Sequence, residues 1–161
     1  MRFHTSSTLE QDVRSMDWRY QPGSSGDLET PLRDYKKMID ANDRCLIVED
    51  NFFIFLAMED IVTSFGFKFI DRASTLAEAK AHLKNTHYRL VMLDFQLGVL
   101  NNMPLAASLE KNKIPFAVTT GYSVDDVMER ALKGAPVISK PYVTEKVNRT
   151  IESLLSLEPI D

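Results

Sequence analysis

Five residues of this chain could together handle a phosphoryl group: Glu49, Asp50, Asp94, Thr120 and Lys140. Glu49 and Asp50 end an apolar run over residues 45–48, and Asp94 ends another over 89–93, so the three carboxylates meet in one small volume if those runs are neighbouring strands. Carboxylates at close range raise one another's pKa, and the usual relief is a hard divalent cation with oxygen ligands. Mg²⁺ fits best, because it accepts a few carboxylates, a backbone carbonyl and several waters in an octahedral shell. Thr120 and Lys140 follow two later apolar runs and bring a hydroxyl and an ammonium to the same crevice. In such a set the metal and Lys140 neutralise phosphoryl oxygens, Thr120 hydrogen-bonds one of them, and Asp94 is the nucleophile that becomes an aspartyl phosphate. One acid at a strand end is an ordinary loop residue; five such groups in step are harder to explain that way.

The elements that must position these groups are legible as periodicity. Short apolar runs at 45–48, 67–70, 88–93, 116–119 and 137–138 read as buried strands, and they alternate with helical stretches at 51–65, 75–84, 104–111, 124–132 and 144–155. Gly66 stands where a left-handed residue ends the first helix, and Thr75-Leu76-Ala77-Glu78 has the form of a capping box. Strands alternating with helices predict an α/β, doubly wound, five-stranded parallel sheet, whose ligands bind outside the carboxyl ends of the strands. Phe52, Phe53, Phe55 and Leu56 read as core and helix-face packing, His82 and His87 as solvent-facing, and Cys45 as a small packing residue.

Composition narrows the function classes. The chain has 161 residues, 44% hydrophobic and 26% charged, about one domain of ordinary globular character. Its net charge of −4 and lack of any Lys/Arg cluster exclude a direct nucleic-acid partner. The single cysteine permits no internal disulfide and suits a reduced, cytoplasmic setting. No apolar run approaches the roughly 18 residues of a membrane span, and residues 1–20 show no signal-peptide core, so neither insertion nor export is expected. Residues 1–40 are polar and broken by Pro22-Gly23-Ser24-Ser25-Gly26, and they read as an N-terminal extension, mostly disordered or a short helix. Leu32, Tyr35, Met38 and Ile39 recur at helical spacing, with Trp18 and Tyr20 as further anchors for a docking element. The following unit is expected to span 41–158.

With these residues in order, the chain resembles the receiver domain of bacterial two-component response regulators over residues 44–155. The resemblance rests on Val48-Glu49-Asp50, Leu93-Asp94, Thr120-Gly121, Lys140-Pro141 and the strand and helix rhythm between them. It implies a flavodoxin-like receiver fold with strand order 2-1-3-4-5 and Asp94 as phosphoacceptor. Glu49, Asp50 and the backbone carbonyl of Gln96 become Mg²⁺ ligands beside Asp94. Thr120 becomes the switch hydroxyl and Lys140 the partner of the phosphoryl group, with a cis Lys140–Pro141 peptide. The aromatic residue usual three positions before the lysine is Val137 here. Pro115-Phe116-Ala117-Val118-Thr119-Thr120-Gly121-Tyr122 is similar to the Pro-Phe-x-Phe-Ala-Thr-Gly-Tyr motif of the atypical "FAT GUY" receivers, as is the long loop over 96–103. That subgroup implies sensor histidine kinases of the HWE or a related type, in alphaproteobacteria.

Three functions compete on these residues. The first is a single-domain response regulator, not an enzyme, that takes phosphoryl from a sensor histidine kinase and signals to an unknown downstream protein by contact or phosphorelay. The few residues after the last helical stretch lead to the expectation of no effector domain, and Val137 shifts the expected response to residues 121–132. The second is a phosphorylation-independent adaptor with a receiver fold, recognising its partner through residues 1–40. The third is a haloacid-dehalogenase-like phosphatase, which wants Asp-x-Asp at the nucleophile where this chain has Asp94-Phe95-Gln96.

Overall fold

The computed structural model describes residues 38–98, 100–122 and 134–156. The extension up to residue 37, the helix expected over 124–132 and most of the expected response segment lie outside the described residues. Within them the element order is β1 (Arg44–Val48), α1 (Phe52–Phe65), β2 (Phe69–Ala73), α2 (Leu76–Asn85), β3 (Leu90–Asp94), β4 (Gln96–Leu97), β5 (Leu100–Asn101), α3 (Met103–Lys111), β6 (Phe116–Thr120), β7 (Val137–Ser139) and α4 (Thr144–Ser156).

Five of the strands form one parallel sheet in the order β2-β1-β3-β6-β7, which is the expected doubly wound order. The central strands are apolar on both faces because both faces are covered. Their side chains divide with a period of two: Cys45, Ile47, Leu90 and Met92 enter one core with α1 and α4, while Leu46, Val48, Val91 and Leu93 enter the other with α2 and α3. Met38 and Ile39 pack against the first of these cores. The register brings Val48 beside Leu93 and Asp94 beside Thr119, so the residues that follow β1, β3 and β6 share one edge of the sheet.

Local chemistry fixes the helix that follows the first acids. Asn51 Oδ1 accepts the amides of Phe53 and Ile54 at 3.0 and 3.2 Å, and the helical repeat then puts Phe55, Met58, Ile61, Val62 and Phe65 on the buried face. Each such side chain, fully buried, contributes about 1.5–3 kcal/mol. Gly66 ends α1 at φ 139°, and the Phe67 N–H turns back to the Val62 carbonyl. That turn consumes Phe67, so β2 begins at Phe69 rather than at the start of its apolar run.

Other expectations are corrected. Phe52 and Phe53 are 51% and 80% exposed and Leu56 is exposed as well; of the expected packing group only Phe55 is buried. The backbone turn that lets Asn51 cap α1 starts the helix on its outer side. His82 is half-buried rather than solvent-facing, its Nδ1 lying 3.0 Å from the Tyr88 hydroxyl, which also donates to Asp71 at 2.8 Å. Residues 96–103 are not simply a loop: β4 and β5 pair antiparallel as a short hairpin before α3. Tyr88 precedes β3 and packs in the second core. In the capping box Thr75 accepts the Glu78 amide as expected, but the Glu78 carboxylate reaches Ser74, one residue earlier than the reciprocal bond of the motif.

Candidate functional site

The loop after β1 carries Glu49 and Asp50, and Asp94 closes β3. One carboxylate oxygen from each lies within 4.8 Å of the other two, a donor set that fits a hard oxygen-seeking cation. Glu49 is 2% exposed and Asp94 6%, whereas Asp50 is open to solvent. Lys140, one residue past β7, extends Nζ to 2.6 Å from Glu49 Oε2 and 3.0 Å from Asp94 Oδ2. The Lys140–Pro141 peptide is cis. Thr120 is buried at the end of β6, its hydroxyl accepting the Tyr122 amide at 3.0 Å and its carbonyl accepting the Lys140 amide at 2.7 Å. All five residues singled out from the sequence therefore stand at one edge of the sheet, with Lys140 in direct contact with Glu49 and Asp94.

Burial raises the pKa of Glu49 and of Asp94. The Lys140 ammonium pulls both back down, and the neighbouring carboxylates push them up again. For Lys140 burial works toward a lower pKa, and its bonds to Glu49 and Asp94 outweigh it, so its pKa is raised and the ammonium is held charged.

Further residues complete the surroundings; among them the sequence reading gave a site role to Gln96 alone, and to its carbonyl rather than its amide. Arg72, on the edge strand β2, donates to the carbonyls of Asp50 and Glu49 at 2.7 and 3.3 Å while its guanidinium lies 5.3 and 5.4 Å from the Phe52 and Phe55 ring centres. The Gly98 amide, reached through the hairpin at φ 58°, donates to Asp50 Oδ2 at 3.2 Å. The Gln96 amide donates to Asp94 Oδ1 at 3.3 Å. Asn102 donates to the Asp94 carbonyl at 2.5 Å. Tyr142 has its hydroxyl pKa pushed up to about 12 by burial, against a hydrogen bond with Thr119 that lowers it. An arginine on an edge strand and an asparagine before a helix carry no signal of their own in sequence.

The doubly wound sheet with acids after its first and third strands defines a class, the CheY-like receiver. The chain is similar to SdrG from Sphingomonas melonis Fr1, whose solution structure it matches at 30% identity with a TM-score of 0.63, over 73% of this chain and 99% of that one. It is 26% identical over 117 residues to the probable chemotaxis protein CheY of Rhizobium etli, covering 69% of this chain and 91% of that protein. The receiver domain of a response regulator from Bacteroides fragilis shares the fold at 20% identity, with a TM-score of 0.64 over 72% of this chain and 98% of that one. No family model matches the chain. It belongs to the receiver family of two-component response regulators. Among the described residues no helix is long and apolar enough to cross a membrane.

Proposed function

We propose that the chain is a single-domain response regulator that accepts a phosphoryl group on Asp94 from the phosphohistidine of a sensor kinase. The observation that carries this reading is the position of Lys140 Nζ against both Glu49 and Asp94, beside an acidic set fit for a cation. An Asp94 carboxylate oxygen attacks phosphorus, the P–N bond breaks, and the imidazole leaves as the neutral base after taking a proton. Lys140 neutralises the arriving oxygens and Thr120 hydrogen-bonds one of them. Glu49, Asp50, Asp94 and the Gln96 carbonyl would hold Mg²⁺, which supplies further neutralisation of phosphoryl charge when bound.

The added charge is stabilising only in the conformer where Thr120 and Lys140 both reach it, so phosphorylation acts as a population shift. The output is contact with a downstream protein or onward relay of the phosphoryl group, in the cytoplasm. The receiver unit is residues 41–158, with residues 1–40 as its extension. The stretch Pro115 to Tyr122 supports placement in the "FAT GUY" subgroup and a kinase of the HWE type.

The test is phosphotransfer from labelled kinase cores. Label passes to the wild-type chain and not to Asp94→Asn, and it passes faster from an HWE-type core than from one of another class. Equal labelling of wild type and Asp94→Asn refutes Asp94 as acceptor. Equal rates from both cores refute the subgroup alone.

A further inference from the structure

Asn102 stands at a helix-capping position and does not cap. Asn51 and Thr75 each accept amides of the helix they begin, as N-cap side chains ordinarily do. Asn102 begins α3 and makes no such bond. Its Nδ2 turns back instead and donates to the Asp94 carbonyl at 2.5 Å, while its own N–H donates to the Phe95 carbonyl at 3.0 Å. The residue is 2% exposed, and its Oδ1 is buried with no hydrogen-bond partner among the described residues. A forgone cap and an unpaired buried oxygen both cost stability. Where a residue works against the fold locally, its return is sought at a functional site, and Asn102 spends its amide on the backbone of Asp94.

We propose that Asn102 is a positioning residue for phosphoryl acceptance, acting through Asp94; this rests on the reading of Asp94 as the phosphoacceptor. The two bonds of Asn102 tie it back to the carbonyls of Asp94 and Phe95. Between these residues in the chain stand Gln96, whose amide holds Asp94 Oδ1, and Gly98, whose amide holds Asp50 Oδ2. The neighbouring Phe95 amide is tied to the Thr119 carbonyl at 2.8 Å, and Lys140 holds Asp94 Oδ2. The carboxylate is thus aimed from both its backbone and its oxygens, and Asn102 fixes the backbone end. An orientation error at a nucleophile lowers the rate steeply even where binding is intact.

The experiment uses the full chain with Asn102→Ala and Asn102→Ser. Phosphoryl acceptance from acetyl phosphate is followed by intact mass at saturating Mg²⁺ and resolved into a maximal rate and a half-saturating donor concentration. Urea unfolding without Mg²⁺ is measured beside it, and Mg²⁺ affinity by calorimetry. The maximal rate falls about tenfold or more in both variants. The unfolding midpoint changes little, since the lost bond to the Asp94 carbonyl is offset by removal of the unpaired oxygen in alanine and by a serine free to cap α3. Wild-type maximal rates in either variant, a change confined to the half-saturating concentration, or a rate loss matched by loss of folded protein overturns the proposal. A wild-type chain that accepts no phosphoryl, or an Asp94→Asn chain that accepts it, overturns instead the reading of Asp94.

Discussion

Lys140 Nζ donates to Glu49 Oε2 at 2.6 Å, across 91 residues of sequence, with Glu49 buried and Lys140 half-buried. Lys140 thereby neutralises a carboxylate that would otherwise stand in low dielectric beside Asp94. A phosphoryl group on Asp94 would compete with Glu49 for this ammonium, which gives the lysine two alternative engagements within one site.

Removing the cation leaves that charge uncompensated. Lys140→Ala is expected to lose about 3 kcal/mol of stability at neutral pH without Mg²⁺, the magnitude found when one partner of a buried pair is deleted. Asp94→Asn is expected to unfold at higher urea than wild type in the same buffer, because it removes one of the crowded carboxylates. Urea unfolding of the two variants reads both signs.

The acid limb of stability should depend on Asp71. Burial opposes its ionisation, but Arg44 donates to it at 2.8–3.1 Å and Tyr88 at 2.8 Å, and the net effect lowers its pKa. A lowered carboxylate contributes stability above its unfolded pKa of about 4 and loses it as pH falls through the folded value. The raised Glu49 and Asp94 have the opposite sign: their contribution is present in acid and lost as pH rises through their raised values. Asp71→Asn is therefore expected to flatten the loss of stability below about pH 4 and to leave the Mg²⁺-free loss at higher pH in place. Urea midpoints across pH, in chelator, check this.

Arg72 ties down the carbonyls of both acids that precede α1. Residues that orient a ligand set without touching the metal are worth about 10–100-fold in metal affinity. Arg72→Ala is expected to weaken Mg²⁺ binding about tenfold by calorimetry. Arg72→Lys is expected to restore little of it, because an ammonium cannot bridge two carbonyls and lie over two rings as a planar guanidinium does.

The first turn of α1 separates capping from exposure. Asn51→Ala is expected to cost about 1 kcal/mol, having lost two amide partners. Phe53→Ser, at 80% exposure, is expected to stay within about 0.5 kcal/mol of wild type. Met58→Ala opens a cavity in the first core and is expected to cost about 2–5 kcal/mol. Chemical denaturation of the three variants orders them.

The residues that carried the most physical information in sequence are those whose role is local or periodic. Gly66 and Thr75 act through their own helix ends, and the apolar runs of β1 and β3 have to be buried on both faces, so each was readable without knowledge of its neighbours. The acids were readable because strand ends converge in a doubly wound sheet. The hairpin of β4 and β5 was not readable, since two-residue strands show no period. Nor was Arg72 or Asn102, whose partners are backbone carbonyls brought close by the sheet and the hairpin. His82 was misread because its partner, Tyr88, lies beyond the helix end in the second core. Phe52, Phe53 and Leu56 were misread because aromatic density near a helix start does not say which side faces the sheet.

The chemistry of this site rests on Asp94 as acceptor of a phosphoryl group in the setting of Glu49, Asp50 and Lys140. Intact mass after incubation with acetyl phosphate, with Mg²⁺ and with chelator, tests it for wild type and Asp94→Asn. One phosphoryl group is expected to add to wild type only with Mg²⁺, and none to the variant. Addition to Asp94→Asn, or addition to wild type that is indifferent to Mg²⁺, would contradict it.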